Sequence, residues 1–112
     1  MGISDDQRAI LLAPGVDRLL AVLQKRHRRL ILMSVRDGTE TLAQDLLVRG
    51  ESDGRDARAA LQHTHLAKLE KAGFIEWERG TGVISRGPLF EEIEPLLDLM
   101  AEHDAELPAD WP

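Results

Sequence analysis

The chain has 112 residues and a mass of 12.5 kDa, enough for one small domain and too little for an active site set between two domains. Apolar residues make up 43% and charged residues 30%, a globular composition, and the lack of cysteine excludes disulfides, thiolate metal sites and cysteine nucleophiles. The formal charge of −6 is unevenly spread: residues 1–87 hold all 14 Lys and Arg and 12 of the 20 acids, a net of +2, while residues 88–112 hold the other eight acids, a net of −8.

Residues 1–15 carry little pattern and end in Pro14-Gly15, which reads as a partly ordered lead-in. Val16, Leu19, Leu20, Leu23, Leu30, Ile31 and Val35 then fall at helical spacing, interrupted at Gln24-Lys25-Arg26. The segment is one helix over about 16–35 or two helices meeting near Lys25, closed by Asp37-Gly38. Thr41 and Gln44 fit a capping box, and Leu42, Ala43, Leu46 and Leu47 give an apolar face, which predicts a short helix over about 41–48. Arg49 to Asp56 is polar with two glycines and reads as a loop. Residues 57–72 form the clearest helix, with Leu61, His65, Leu66, Leu69 and Ala72 on one broad face and Gly73 as its stop. The period then changes: 74–78 and 83–86 read as strands joined by the turn Arg79-Gly80-Thr81-Gly82. Beyond Gly87-Pro88, the spacing of Leu89, Phe90, Ile93, Leu96, Leu97 and Met100 is helical again. Proline is tolerated in a first helical turn, so Pro95 sets this helix at about 91–104, with Leu107 to Pro112 as an extended tail.

The fold class is mainly α with a β-hairpin (α+β). A helical trio followed by a hairpin is the order of a winged helix-turn-helix, whose recognition helix is here about 57–72. The boundaries are 16–87 for that domain, 88–106 for a C-terminal helix and 107–112 for the tail. The segment His65-Leu66-Ala67-Lys68-Leu69-Glu70-Lys71-Ala72-Gly73-Phe74-Ile75 resembles the "HLxxLxxAGLV" stretch of ArsR-type winged-helix transcriptional regulators. Arg28-Arg29-Leu30-Ile31-Leu32 resembles the same family's early "RLxIL" segment, and Gln62-His63-Thr64-His65-Leu66 is similar to small winged-helix proteins of halophilic archaea. The resemblance covers about residues 16–104 and implies a homodimer that binds double-stranded DNA, with the terminal helices as the dimer interface. The cysteine motif of the family's metal sensors is absent, so metal sensing is not implied.

The candidate DNA contacts are Arg55, Arg58, Gln62, Thr64 and Lys68, on or before the recognition helix, and Arg79 at the wing tip. Arg58 and Gln62 are expected to point away from the Leu61/Leu69 face, where Arg reads guanine and Gln reads adenine. Arg79 would touch phosphate or the minor groove, and Arg86 lies at the base of the wing. The plain alternative for each is a solvated surface charge. Arg26, Arg28 and Arg29 form the densest basic run, suited to phosphate or to neutralising the acidic C-terminal segment, and the second reading is preferred. Ile93, Leu96, Leu97 and Met100 form an apolar stripe read as the dimer interface.

His63 and His65 are two apart, unlike the i, i+4 pairs that hold metals, so His65 is read as core, His63 as surface, and no metal is expected. Trp77 and Trp111 are read as packing residues. No Ser-His-Asp arrangement or glycine-rich phosphate loop carries a motif, so no enzyme and no cofactor is expected, and the sequence identifies no small-molecule effector. No apolar run reaches bilayer length and no signal-peptide order opens the chain, so the expected location is cytoplasmic, without membrane contact. The expected function is transcriptional regulation by sequence-specific binding of double-stranded DNA. The alternative is a winged-helix protein-interaction module, which the small positive surplus of the body and the acidic tail favour.

Overall fold

The structure is a computed structural model that describes residues 15–38, 41–42 and 55–112, with side chains from 15–38 and from 63 onward. The lead-in over 1–14 and the segment 43–54, which holds most of the expected short helix and the polar loop, lie outside the described residues. In chain order the elements are α1 (Gly15–Leu23), α2 (Arg26–Arg36), β1 (Thr41–Leu42), α3 (Arg55–Lys71), β2 (Ile75–Glu78), β3 (Val83–Arg86) and α4 (Phe90–Glu102), then a 3-10 turn (Asp104–Glu106). The described chain is mainly helical, with an antiparallel hairpin.

The stretch 16–35 is two helices, and α2's own arginines explain the break. The last carbonyls of a helix have no partner within it. Arg28 Nε donates to Val22 O at 2.7 Å, its Nη2 to Ala21 O at 2.7 Å, and Arg29 Nη1 to Leu23 O at 2.8 Å. Lys25 is extended (φ −107°, ψ 132°), so the chain turns sharply enough to lay the first turn of α2 beside the end of α1. Cations at a helix C-terminus also meet the negative end of its dipole.

Thr41 and Leu42 correct the short-helix expectation. They form β1, antiparallel to β3 with Thr41 opposite Ile84 and Leu42 opposite Val83, so these two residues are strand and not the start of a helix. An N-cap residue is extended anyway, and Leu42 in the ladder carries that extension one residue further. β2 pairs with the other side of β3, giving a three-stranded sheet ordered β1-β3-β2.

The end of α3 is a Schellman turn. Phe74 N–H donates to Leu69 O at 3.1 Å and Gly73 N–H to Glu70 O at 3.0 Å, with Gly73 at φ +88°. A side chain at Gly73 would meet Leu89 Cδ1 at 2.9 Å as well as an unfavourable φ. Gly87 closes the same corner: its N–H donates to Phe74 O at 3.0 Å, and a Cβ there would lie 2.5 Å from Gly73 O. The exits of α3 and β3 thus cross with no room for a side chain.

The core draws on every major element: Val22 of α1, Ile31 and Leu32 of α2, Leu66 and Leu69 of α3, Phe74, Ile75 and Ile84 around the hairpin, and Phe90, Ile93 and Leu97 of α4. α4 is therefore part of the same core. It begins at Phe90 with Leu89 as N-cap, which puts Pro95 at its sixth position, beyond the first turn where it was expected. The lost hydrogen bond is tolerated because the buried faces on both sides of Pro95 hold the helix in place. The last residues do not extend freely: Arg26 Nε donates to Pro112 O at 3.1 Å, and the Arg29 guanidinium lies 5.9 Å from the Trp111 ring.

Candidate nucleic-acid interface

α3 leads straight into the hairpin, so the sequence-predicted contact residues lie on α3 and at the hairpin turn. Its inward face is set by His65, Leu66, Leu69 and Ala72, all buried. At about 3.6 residues per turn, positions i, i+4, i+7 and i+11 share a stripe. Arg58, Gln62, His65 and Leu69 have this spacing. The expectation that Arg58 and Gln62 point away from the Leu61/Leu69 face falls on side chains outside the described residues. Arg55 also sits in the first turn of α3, and the side chains of Arg55, Arg58 and Gln62 lie outside the described residues.

The outward stripe among the described residues is Thr64, Lys68 and Lys71, at i, i+4 and i+7. Thr64 and Lys71 are exposed and Lys68 half-buried. Lys71 was missed by sequence reasoning, although its seven-residue distance from Thr64 already put it on the same face. His63 is exposed, with its ring edge-on to Trp77 at 4.9 Å.

Arg79 is at the hairpin tip as expected, but it is engaged. Its two terminal nitrogens donate to the two oxygens of Glu70 at 2.9 and 3.2 Å, and its guanidinium stacks over Trp77, 4.2 Å from the ring centre. The hydrogen bond from Arg79 holds the Glu70 carboxyl below its usual range, and the same bond raises Arg79. Beside this pair is an open depression of about 400 Å³ lined by Glu70, Glu76, Trp77, Glu78, Val83 and Ser85. Three carboxylates make it repellent to phosphate.

The basic run 26–29 meets the C-terminal segment beyond α4 and not α4 itself: Arg26 donates to Pro112 O, and Arg29 lies near Asp110 and Trp111. Arg28 is fully buried, and Arg28 and Arg29 are turned to the α1 carbonyls. Burial, more than the neighbouring Arg26, lowers the Arg29 pKa, while Asp110 opposes that shift. The counter-charges for α4 come from elsewhere: Arg18 to Glu92 at 3.9 Å, Arg36 to Asp98 at 2.7 Å and Arg86 to Glu94 at 2.8 Å. The hydrogen bond to Asp98 raises Arg36 further.

The proposed interface stripe on α4 is also reassigned. Ile93 and Leu97 are fully buried in this chain's own core, and Leu96 and Met100 are partly buried against it. The large apolar side chains left exposed are Val16, Leu20, Leu89 and Leu99 among the described residues.

His65 is buried as expected, and its ring stacks on His27 with centres 5.3 Å apart and planes at 14°, joining α2 to α3. Burial, then Arg26, lowers the His27 pKa. Among the described residues no three His, Cys, Asp or Glu side chains group so as to hold a metal, and no helix is long and apolar enough to cross a membrane. Comparison with protein-family profiles, with curated proteins and with solved structures gave no match.

Proposed function

We propose that the chain is a winged-helix DNA-binding protein that acts as a homodimeric transcriptional regulator. The observation that supports this most is the topology: β1 pairs with β3, and α3 passes through a Schellman turn into the β2–β3 hairpin with its Thr64, Lys68 and Lys71 stripe outward. On this reading α3 enters the major groove and the hairpin is the wing. Lys68 and Lys71 neutralise phosphate, and Thr64 and the first turns of α3 meet base edges. A second copy places two α3 helices about 34 Å apart, one turn of the duplex. The large apolar side chains exposed for such a copy, among the described residues, are Val16 (68% exposed) and Leu20 (52%) of α1, Leu89 (37%) at the N-cap of α4 and Leu99 (53%) of α4.

Titration of the protein into labelled duplexes from low to high salt tests the reading by fluorescence anisotropy. Lys68→Ala/Lys71→Ala should weaken binding to all sequences and reduce the salt slope by about 2, one for each phosphate contact. Thr64→Ala should alter the preference among sequences, and Arg58→Ala/Gln62→Ala reports whether the start of α3 reads bases. Binding that is absent, or indifferent to all these changes, overturns the proposal. One observation favours the second reading, a protein-interaction module: the carboxylate-lined depression and the Arg79–Glu70 pair give the wing an acidic face suited to a basic protein partner.

A further inference from the structure

We propose that Glu70 is a latch on the wing, holding the Arg79 guanidinium against Trp77 and away from nucleic-acid phosphate. The latch rests on the duplex-binding reading and adds a control to it: the wing joins binding only when this ion pair opens.

The geometry separates the latch from the hairpin itself. Arg79 is the only charged residue of the turn Arg79-Gly80-Thr81-Gly82. That turn is closed without it: Gly82 N–H donates to Glu78 O at 2.7 Å, Gly80 N–H to Glu78 Oε1 at 2.9 Å and Val83 N–H to Thr81 Oγ1 at 3.2 Å. Trp77 is half-buried against the core and braced by His63 from α3. Releasing Arg79 therefore dismantles neither the turn nor the seat of the tryptophan.

The bond that holds Arg79 is one that a phosphate can replace. Two parallel N–H···O contacts bind the guanidinium to the carboxylate, and a phosphodiester accepts the same fork in the same way. The Arg79 side chain is 53% exposed and that of Glu70 33%, so the pair is within reach of solvent and of a ligand. Exposed pairs are weak and screened by salt. Exchange is opposed chiefly because it would leave the Glu70 carboxylate, then held by the Trp77 backbone N–H without its cation, beside a phosphate, with Glu76 and Glu78 on the same face. A merely structural brace makes a different prediction: its loss would lower stability and leave duplex affinity alone.

The test is anisotropy titration of a labelled duplex with the full-length wild type, Glu70→Gln, Arg79→Ala and the double variant, each across a salt series. The Glu70→Gln substitution should tighten binding about fivefold, the scale of one exposed ion pair. It should also steepen the salt slope by about 0.9, one added phosphate contact. Arg79→Ala should match the wild type, and the double variant should match Arg79→Ala. The latch is overturned, with duplex binding intact, if Glu70→Gln binds like the wild type. It is equally overturned if the double variant keeps the gain, because the benefit is then the removed charge. An Arg79→Ala loss as large in the wild type as beside Glu70→Gln means that Arg79 was never withheld. Failure of all four proteins to bind duplex at any salt overturns the latch and the DNA-binding reading together.

Discussion

Replacing Arg28 with methionine should be among the most damaging single changes outside the apolar core. The side chain is fully buried, and its two donors serve Val22 O and Ala21 O at 2.7 Å each. Methionine keeps an unbranched stem of related shape and donates nothing. Each of the two carbonyls at the end of α1 then loses its donor, at about 1–3 kcal/mol for a buried acceptor left unsatisfied. Relief from burying a charge returns part of that loss, so the net is about 3 kcal/mol. A domain of this size is stable by only about 5–15 kcal/mol, so the melting temperature should fall by roughly 12–20 °C. Arg28→Lys keeps the charge without the fork, reaches one carbonyl well and should lose about half as much. Urea unfolding followed by circular dichroism, with the slope compared between variants, measures the difference. A loss under about 1 kcal/mol for Arg28→Met would refute the claim that this side chain closes the α1–α2 corner, since two unsatisfied carbonyls cost more than that.

Gly87→Ala should destabilise more than Gly73→Ala. The new Cβ at 87 meets backbone atoms at 2.5, 2.7 and 2.8 Å, whereas at 73 it meets the movable Leu89 side chain and a strained φ. We expect about 2 kcal/mol for Gly73→Ala by the same urea assay, and a larger loss or a failure to fold for Gly87→Ala. Because the His27 pKa is lowered in the folded state, the unfolded chain takes up the proton first. The stability from neutral His27 is therefore complete above its unfolded pKa of about 6.5 and declines as pH falls from there toward the folded value. His27→Gln should flatten the stability profile below pH about 6.5, and a profile that keeps its wild-type slope there assigns the titration to another group. Leu20→Glu/Leu99→Glu should halve the mass found by sedimentation without altering the circular dichroism spectrum; an unchanged mass removes α1 and α4 as the contact between copies.

Local pattern was enough wherever one segment sets its own structure. The apolar spacing located α3 and α4, the change of period located the hairpin to within a residue, and Ala72-Gly73-Phe74 announced the Schellman stop. What the sequence alone determined is thus the order and period of the elements, because helix phase, strand alternation and glycine stops act over a few neighbours. Only the tertiary structure decided which partner each charge and edge found. β3 turned Leu42 from a helix residue into a strand residue, though 41 positions separate Leu42 from Val83. The acidic face of α4 drew Arg18, Arg36 and Arg86 from three other elements, and the bend after α1 buried Arg28, which looked like surface. Arg79 reads as an available wing-tip cation until packing sets Glu70, from the helix before the hairpin, against it. Such pairings depend on how segments are brought together in space, and spacing along one segment carries no record of them.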